Sequence, residues 1–446
     1  MTDPSPPAPV SLREAFLYWL KLGFISFGGP AGQIALMHTE LVERRRWISE
    51  GRFLHALNYC MLLPGPEATQ LAIYIGWLLH RTRGGIIAGV LFILPSLLIL
   101  IGLAWVYLAF GHLALVAGIM NGIKPAVVAI VLAAAWRIGS RTLRNRILVA
   151  IACAAFVAIA LLQAPFPLIV LGAALCGVAG ARLRPLAFQP GGAHGCAHAA
   201  GGAPRLRALI DDDTPTPAHA RFSRPRLAAV IAVGAGLMLA CWLLLASWAG
   251  PRGTLAQMGW FFSKAALLTF GGAYAVLPYV VQGAVEHYGW LSAPQMIDGL
   301  ALGETTPGPL IMIVAFVGFV GGWTHQVLGA AAPWLGGIAG ACVAALFTFV
   351  PSFVFILAGG PLVESTRGNL RLTAPLTAIS AAVVGVIVSL ALYFGREVFF
   401  AGGSVQPRAI VLGLLAAIAL LRYRVGTISL LAACACAGLV LSYWHV

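Results

Sequence analysis

The three lysines of this 446-residue chain, Lys21, Lys124 and Lys264, all sit inside or beside apolar segments, as do the carboxylates Glu67, Asp298 and Glu304. Ionisable groups in such surroundings are costly and mark a functional path by default. Around them lie helix breakers: Phe27-Gly28-Gly29-Pro30 and Pro64-Gly65-Pro66 early in the chain, Phe270-Gly271-Gly272 and Thr305-Thr306-Pro307-Gly308-Pro309 later. Proline removes a backbone donor and glycine loosens the chain, so each motif interrupts a helix. A half-helix that starts after such a break presents unpaired N–H groups and a positive dipole end, which is an anion site. Asn58, Thr69 and Gln70 add amide and hydroxyl donors, and the lysines add positive charge if the broken segments converge. The chemistry this predicts is binding of a small oxyanion. Glu67 and Glu304, beside such a site, must be protonated, paired or repulsive, which couples binding to protons or charge. The simpler alternatives are snorkelling for Lys21 and Lys264 and a structural Glu–Lys pair.

The elements that position these groups are membrane elements. Hydrophobic residues make up 60% of the chain and charged residues 9%, where a globular domain carries roughly 25%. Mean hydropathy is +0.92. Apolar segments run at 14–38, 53–80, 84–110, 113–136, 147–163 and 165–181, and again at 227–249, 259–282, 294–320, 326–359, 374–395, 409–421 and 427–444. These blocks suit a hydrocarbon core of roughly 30 Å, so the expectation is an all-α polytopic membrane protein with about 13 membrane elements, the count ranging from 10 to 13. The net charge of +14 comes mostly from arginines in short links, such as Arg44 to Arg46 and Arg137/Arg141/Arg144/Arg146. Such clusters mark cytoplasmic loops and lipid contacts, not nucleic-acid binding. Of the eight cysteines, only Cys196 lies outside an apolar stretch, in His194-Gly-Cys196-Ala-His198. That cluster could hold a soft metal, but its Gly/Ala/Pro surroundings read as linker.

Self-comparison divides the chain. Lys21 and Lys264, Gly28 and Gly271, Glu43 and Glu286, Trp47 and Trp290, and Pro64-Gly65-Pro66 and Pro307-Gly308-Pro309 all recur at an offset of 243. Pro95-Ser96 and Pro351-Ser352, Val127-Val128 and Val383-Val384, and Gly139 and Gly395 keep an offset of 256. The chain is a duplication. The expected parts are a proline-rich disordered tail (1–13), a first repeat (14–181), a polar cytoplasmic linker (182–226), an extra transmembrane helix (227–249) and a second repeat (255–444). An odd number of crossings before the second repeat inverts the halves. Arg44 to Arg46 fall outside if 14–38 crosses once, and inside if 14–38 and 53–80 both re-enter; the two versions stay open. Broken helices in an inverted repeat are the usual substrate site of a secondary transporter working by rocking of one half against the other.

At these motifs the sequence resembles the chromate ion transporter family in its long, two-domain form. The resemblance rests on Phe27-Gly28-Gly29-Pro30, on Leu63-Pro64-Gly65-Pro66-Glu67-Ala68-Thr69-Gln70-Leu71-Ala72 and on Thr306-Pro307-Gly308-Pro309, and spans roughly 11–180 and 255–444. It implies export of chromate from the bacterial cytoplasm across the inner membrane, conferring resistance, with sulfate as structural analogue. A permease for sulfate or another oxyanion is the alternative. The second repeat departs from the first: Ala273 replaces Pro30 and Leu310 stands where Glu67 would be, so unequal roles are expected. No nucleotide-binding loop or other cofactor signature appears, and an enzyme would need clustered polar catalysts that the scattered histidines do not supply. The oligomeric state is left open, a homodimer being compatible with it.

Overall fold

The computed structural model describes residues 7–184, 188, 207–215, 217–270, 272–365, 373–400 and 403–443. Among the described residues the chain is helical, apart from a backbone bridge between Ile48 and Ile210. In chain order the helices are α1 (Leu12–Ile25), α2 (Gly29–His38), α3 (Glu50–Cys60), α4 (Glu67–Phe110), α5 (Ala114–Thr142), α6 (Arg146–Ala160), α7 (Phe166–Leu183) and α8 (Arg224–Ala249). The second repeat follows with α9 (Thr254–Leu268), α10 (Ala273–Val280), α11 (Ala293–Thr305), α12 (Ile313–Thr324), α13 (Pro333–Ser365), α14 (Thr373–Phe399), α15 (Pro407–Leu421) and α16 (Thr427–Tyr443). Six helices, α4, α5, α7, α8, α13 and α14, are long and apolar enough to cross a bilayer; α6, α12, α15 and α16 are shorter and apolar.

The repeat is visible element by element. Helices α1, α2 and α3 correspond to α9, α10 and α11 at the 243 offset, and both copies continue from the second of these into a π-helical turn, Thr39–Arg44 and Val281–His287. Helix α4 is two helices in one: non-helical dihedrals at His80 and Arg81 fold it back on itself, and Gly76 and Gly84 let the arms touch backbone to backbone. Its counterpart is the α12–α13 hairpin, closed in the same way by Gly318 against Gly340 and Gly322 against Gly336. Helix α5 matches α14. The last two helices of each repeat then run at an offset of 261, Phe166 opening α7 and Thr427 opening α16. Helix α8 has no partner.

Short helices follow from the breakers. Helix α1, of 14 residues, reaches only about 21 Å, and α2, α3 and the first arm of α4 are no longer. Each therefore turns back at a glycine: Gly28 and Gly29 have φ of 88° and 70°, and Gly65 has φ of 125°. In the second repeat Gly272 and Gly308 do the same at 102° and 99°.

The halves are interleaved. Helix α14 packs on α5, α6 and α7 of the first repeat, and α5 packs on α14, α15 and α16 of the second. Small residues permit these crossings: a side chain at Gly122 would meet the Cys434 carbonyl at 2.2 Å, and one at Gly177 would meet the backbone of Ala374 and Pro375. The repeat-equivalent helices α5 and α14 lie antiparallel, with Gly139 facing Val384 and Gly395 facing Val128. A second group forms around α4 and α13, which pack on each other and carry α1 and α9 respectively.

The described part of the linker is folded onto the first repeat. Leu209 and Ile210 N–H donate to the Arg46 and Trp47 carbonyls, and Ser49 donates its hydroxyl to Asp212 Oδ1 at 2.7 Å. Buried Arg52 donates to the Thr214 carbonyl, and His219 meets the Trp77 carbonyl at 3.1 Å. Arg44 to Arg46 and the linker thus share one end of the molecule.

Candidate substrate site

The two unwound motifs of one repeat meet those of the other. Gly65 N–H donates to the Thr269 carbonyl at 2.7 Å, and Gly308 N–H donates to the Ser26 carbonyl at 2.8 Å. Positions 26 and 269, and 65 and 308, are repeat mates, so one bond is the two-fold image of the other. Each partner is itself held: Ser26 and Thr269 bond their hydroxyls back to the Leu22 and Ala265 carbonyls. Gln33 Nε2 bonds the Ser26 and Gly308 carbonyls, and Gln70 Nε2 bonds the Pro64 carbonyl at 2.7 Å.

Beside this crossing opens a cavity of about 670 Å³. Both members of several mate pairs line it: Gly29 and Gly272, Pro30 and Ala273, Ala31 and Tyr274, Met61 and Glu304, Glu67 and Leu310. The cavity therefore straddles the pseudo-two-fold axis. Helices α2, α4 and α10 begin at its wall, as does the short helical turn Leu310–Met312, and none of these N-termini carries a side-chain cap. Cβ atoms at Gly28 and Gly272 would meet almost nothing, because these glycines face the open space. Uncapped N–H groups from four helix starts give the wall a positive character that suits an anion.

Two further cations complete it. Arg137 and Arg141, on α5, line the cavity, and the charge of Arg137 reaches Glu304 and Tyr274. The Tyr274 hydroxyl donates to Glu304 Oε1. Sequence reading placed these arginines in a loop because the apolar run stops at Trp136. The signal that points to Arg137 is its repeat mate, Tyr393, which still falls within the last turn of the apolar segment 374–395. Tyr274 was missed because its mate is Ala31.

The structure brings Gly28, Gly29, Glu67, Gly272 and Glu304 onto the cavity wall, with Pro64, Gly65, Pro66, Thr306, Pro307, Gly308 and Pro309 forming the loops that make the crossing. Thr69 and Gln70 are fully buried in the first turn of α4. Thr305 and Thr306 bond their hydroxyls to their own helix. Phe27 is exposed and Asn58 half-buried, and neither lines the cavity. The lysines lie elsewhere: Lys21 is exposed, Lys264 sits over the Trp260 ring at 5.5 Å, and Lys124 pairs with Asp298 at 3.4 Å. Gly271 and the His194/Cys196/His198 cluster fall outside the described residues. Among the described residues no group of three His, Cys, Asp or Glu side chains is placed to hold a metal.

Interleaved repeats, helices fit to cross a bilayer and an axial cavity ringed by helix starts define a multi-pass membrane protein of transporter type. The chromate transporter family model matches residues 13–178 and 256–439, one match per repeat, and the chain belongs to that family. It is 32% identical to a chromate transport protein of Pseudomonas aeruginosa over 401 residues, covering 86% of this chain and 82% of the relative. It is 29% identical to one from Cupriavidus metallidurans over 409 residues, covering 89% and 88%. A probable chromate transport protein of Synechococcus elongatus is 27% identical over 387 residues, covering 87% and 85%. No solved structure matches the chain.

Proposed function

We propose that this protein exports chromate, a tetrahedral dianion, from the bacterial cytoplasm across the inner membrane and so confers resistance to it. The observation that carries this reading is the convergence of four uncapped helix starts with Arg137 and Arg141 on one axial cavity. Donors so arranged recognise charge and oxygen geometry, which is why sulfate is the natural competitor. The family and its named relatives support chromate as the cargo.

Direction follows from charge. The cavity opens at the C-terminal end of α5, where Arg137 and Arg141 line it and Arg144 and Arg146 follow in the chain. Arginine-rich ends face the cytoplasm, so the open cavity loads from inside, with the linker on the same side. The same placement favours re-entry of both early hairpins, giving nine crossings and four re-entrant pairs in inverted halves. A dianion leaving a negative interior gains on the order of 4.6 kcal/mol at 100 mV, enough to drive export without ATP. Glu67 and Glu304, on the same wall, are placed to exchange protons with the site.

Interleaving assigns the motion to two mixed bodies rather than to half against half. One is α5–α7 with α14–α16; the other is built on α4 and α13 and carries the broken helices. The cavity lies on the seam between them.

The test is flux in vesicles of fixed potential, with and without a pH gradient, for the wild type and Glu67→Gln. Chromate export that follows the potential supports the reading, and a response of flux to the pH gradient that Glu67→Gln removes assigns proton exchange to that carboxylate. Absence of chromate flux in the wild type overturns it.

A further inference from the structure

A second cavity, of about 490 Å³, lies at the opposite end of α5. Ile297, Glu397, Val398 and Lys124 line it, and these are the repeat mates of Leu54, Arg141, Thr142 and Ser380, each of which lines the first. The second cavity is therefore the first one's counterpart, contracted. What contracts it is α11, which packs on α5, α14 and α16, whereas its mate α3 makes no comparable contact with the corresponding helices.

One ion pair spans that narrowed seam. Lys124 Nζ on α5 stands 3.4 Å from Asp298 Oδ2 on α11, and the Tyr107 hydroxyl from α4 donates to the same oxygen at 2.8 Å. Asp298 is 3% exposed, and its other oxygen, Oδ1, is buried without a hydrogen-bond partner. The lock has no twin: the mates of Lys124 and Asp298 are Ser380 and His55, and on their side the cavity is the wider one. A buried carboxylate with one oxygen unsatisfied depends on the cation and the Tyr107 hydroxyl that share its other oxygen.

We propose that Lys124 and Asp298 are an exchanging pair. In this conformation Asp298 holds Lys124 and keeps α11 packed against the second cavity, narrowing it. When α11 swings away and α3 closes the first cavity, Lys124 remains on the newly opened wall, freed from Asp298, and becomes the cation that receives a tetrahedral oxyanion there. The receiving role rests on the function proposed above; the lock does not.

The experiment uses the full chain in liposomes with a cysteine at Val127, the fully buried mate of cavity-lining Val383. Maleimide labelling of that peptide is followed by mass spectrometry. Asp298→Asn is expected to speed labelling about tenfold or more, because breaking a buried pair favours the state in which α11 has left. The doubly neutral Lys124→Gln/Asp298→Asn protein, which strands no buried charge, is expected to label as fast and to carry neither chromate nor sulfate. The swap Lys124→Asp/Asp298→Lys restores slow labelling but not flux, since the ammonium now sits on α11. Unchanged labelling in the doubly neutral protein overturns the lock, and normal flux through the swapped protein overturns the receiving role. A wild type that carries neither anion overturns the receiving role together with the functional reading, and labelling then decides the lock alone.

Discussion

Gly65 donates its amide to the carbonyl of Thr269, 204 positions further along the chain, and Gly308 repeats the bond to Ser26. Both donors sit at positive φ with a serine pressed against the place a Cβ would occupy: a Cβ on Gly65 would meet Ser352 Oγ at 2.6 Å, and one on Gly308 would meet Ser96 Cβ at 2.7 Å. Alanine at either position is expected to cost about 1–3 kcal/mol and to abolish transport, as seen in thermal unfolding and vesicle flux. Gly172→Ala, where a Cβ meets nothing, serves as the neutral control. Equal behaviour of the three variants would sink the assignment.

Arg137 and the axial carboxylate Glu304 line the same open cavity. Arg137→Gln is expected to lower chromate flux by about tenfold or more, the loss of one or two charge-assisted hydrogen bonds, with Arg137→Lys intermediate. Lys21→Gln and Lys264→Gln should change it by less than about threefold, because Lys21 is exposed, Lys264 sits over the Trp260 ring, and neither lines the cavity. Measuring flux for all four variants decides whether the arginine or the lysines hold the anion.

Tyr274 and Glu304 form a hydrogen-bonded pair for which the first repeat offers only Ala31 and Met61. Tyr274→Phe removes a donor from the half-buried Glu304 carboxylate and should slow transport about three- to tenfold. Met61→Ala, at the mate of Glu304, should leave the response of flux to a pH gradient as it is in the wild type. If both variants behave alike, the halves contribute equally and the asymmetry is without function.

The linker contact is expected to respond to pH. Burial holds the His219 imidazole below its ordinary 6.5; the bond to the Trp77 carbonyl works against this, and the charges of Arg81 and Arg226 add to it. Between that lowered value and 6.5 the undocked linker binds more protons than the docked one. Docking is therefore complete above 6.5 and weakens as pH falls through that window. Proteolysis within 182–226 should accelerate from about pH 8 to about pH 5.5, and His219→Gln, which keeps a donor but does not titrate, should flatten the response. An identical pH profile in the variant would remove His219 from the account.

Much of this arrangement is written in the sequence, because glycine and proline act locally. The breaks at Gly28, Gly65, Gly272 and Gly308 fall where the motifs put them, and the duplication shows which of them are mates. The partner of each break was not legible: the Gly65–Thr269 bond is a tertiary fact, fixed by how α4 and α13 pack. Arg137 was hidden for a different reason. An arginine at the end of an apolar run looks like a loop residue until α5 is seen to continue to Thr142 along the cavity wall. The lysines misled because rarity in an apolar chain marks cost, and Lys21 and Lys264 meet that cost at an exposed surface and against an indole ring. The shift to an offset of 261 before α15 and α16 was too weakly patterned to read without the helices in view.

The crossing of α6 and α7 over α14, matched by α15 and α16 over α5, leaves neither repeat with a complete wall of its own. Glycine contacts as close as that of Gly122 with Cys434 leave little slack for sliding at those crossings. Severing the backbone between α7 and α8 would consequently leave two fragments clasped like linked hands, and the pair should purify and carry cargo as one particle. Any hinge must then lie where the broken helices leave the clasp.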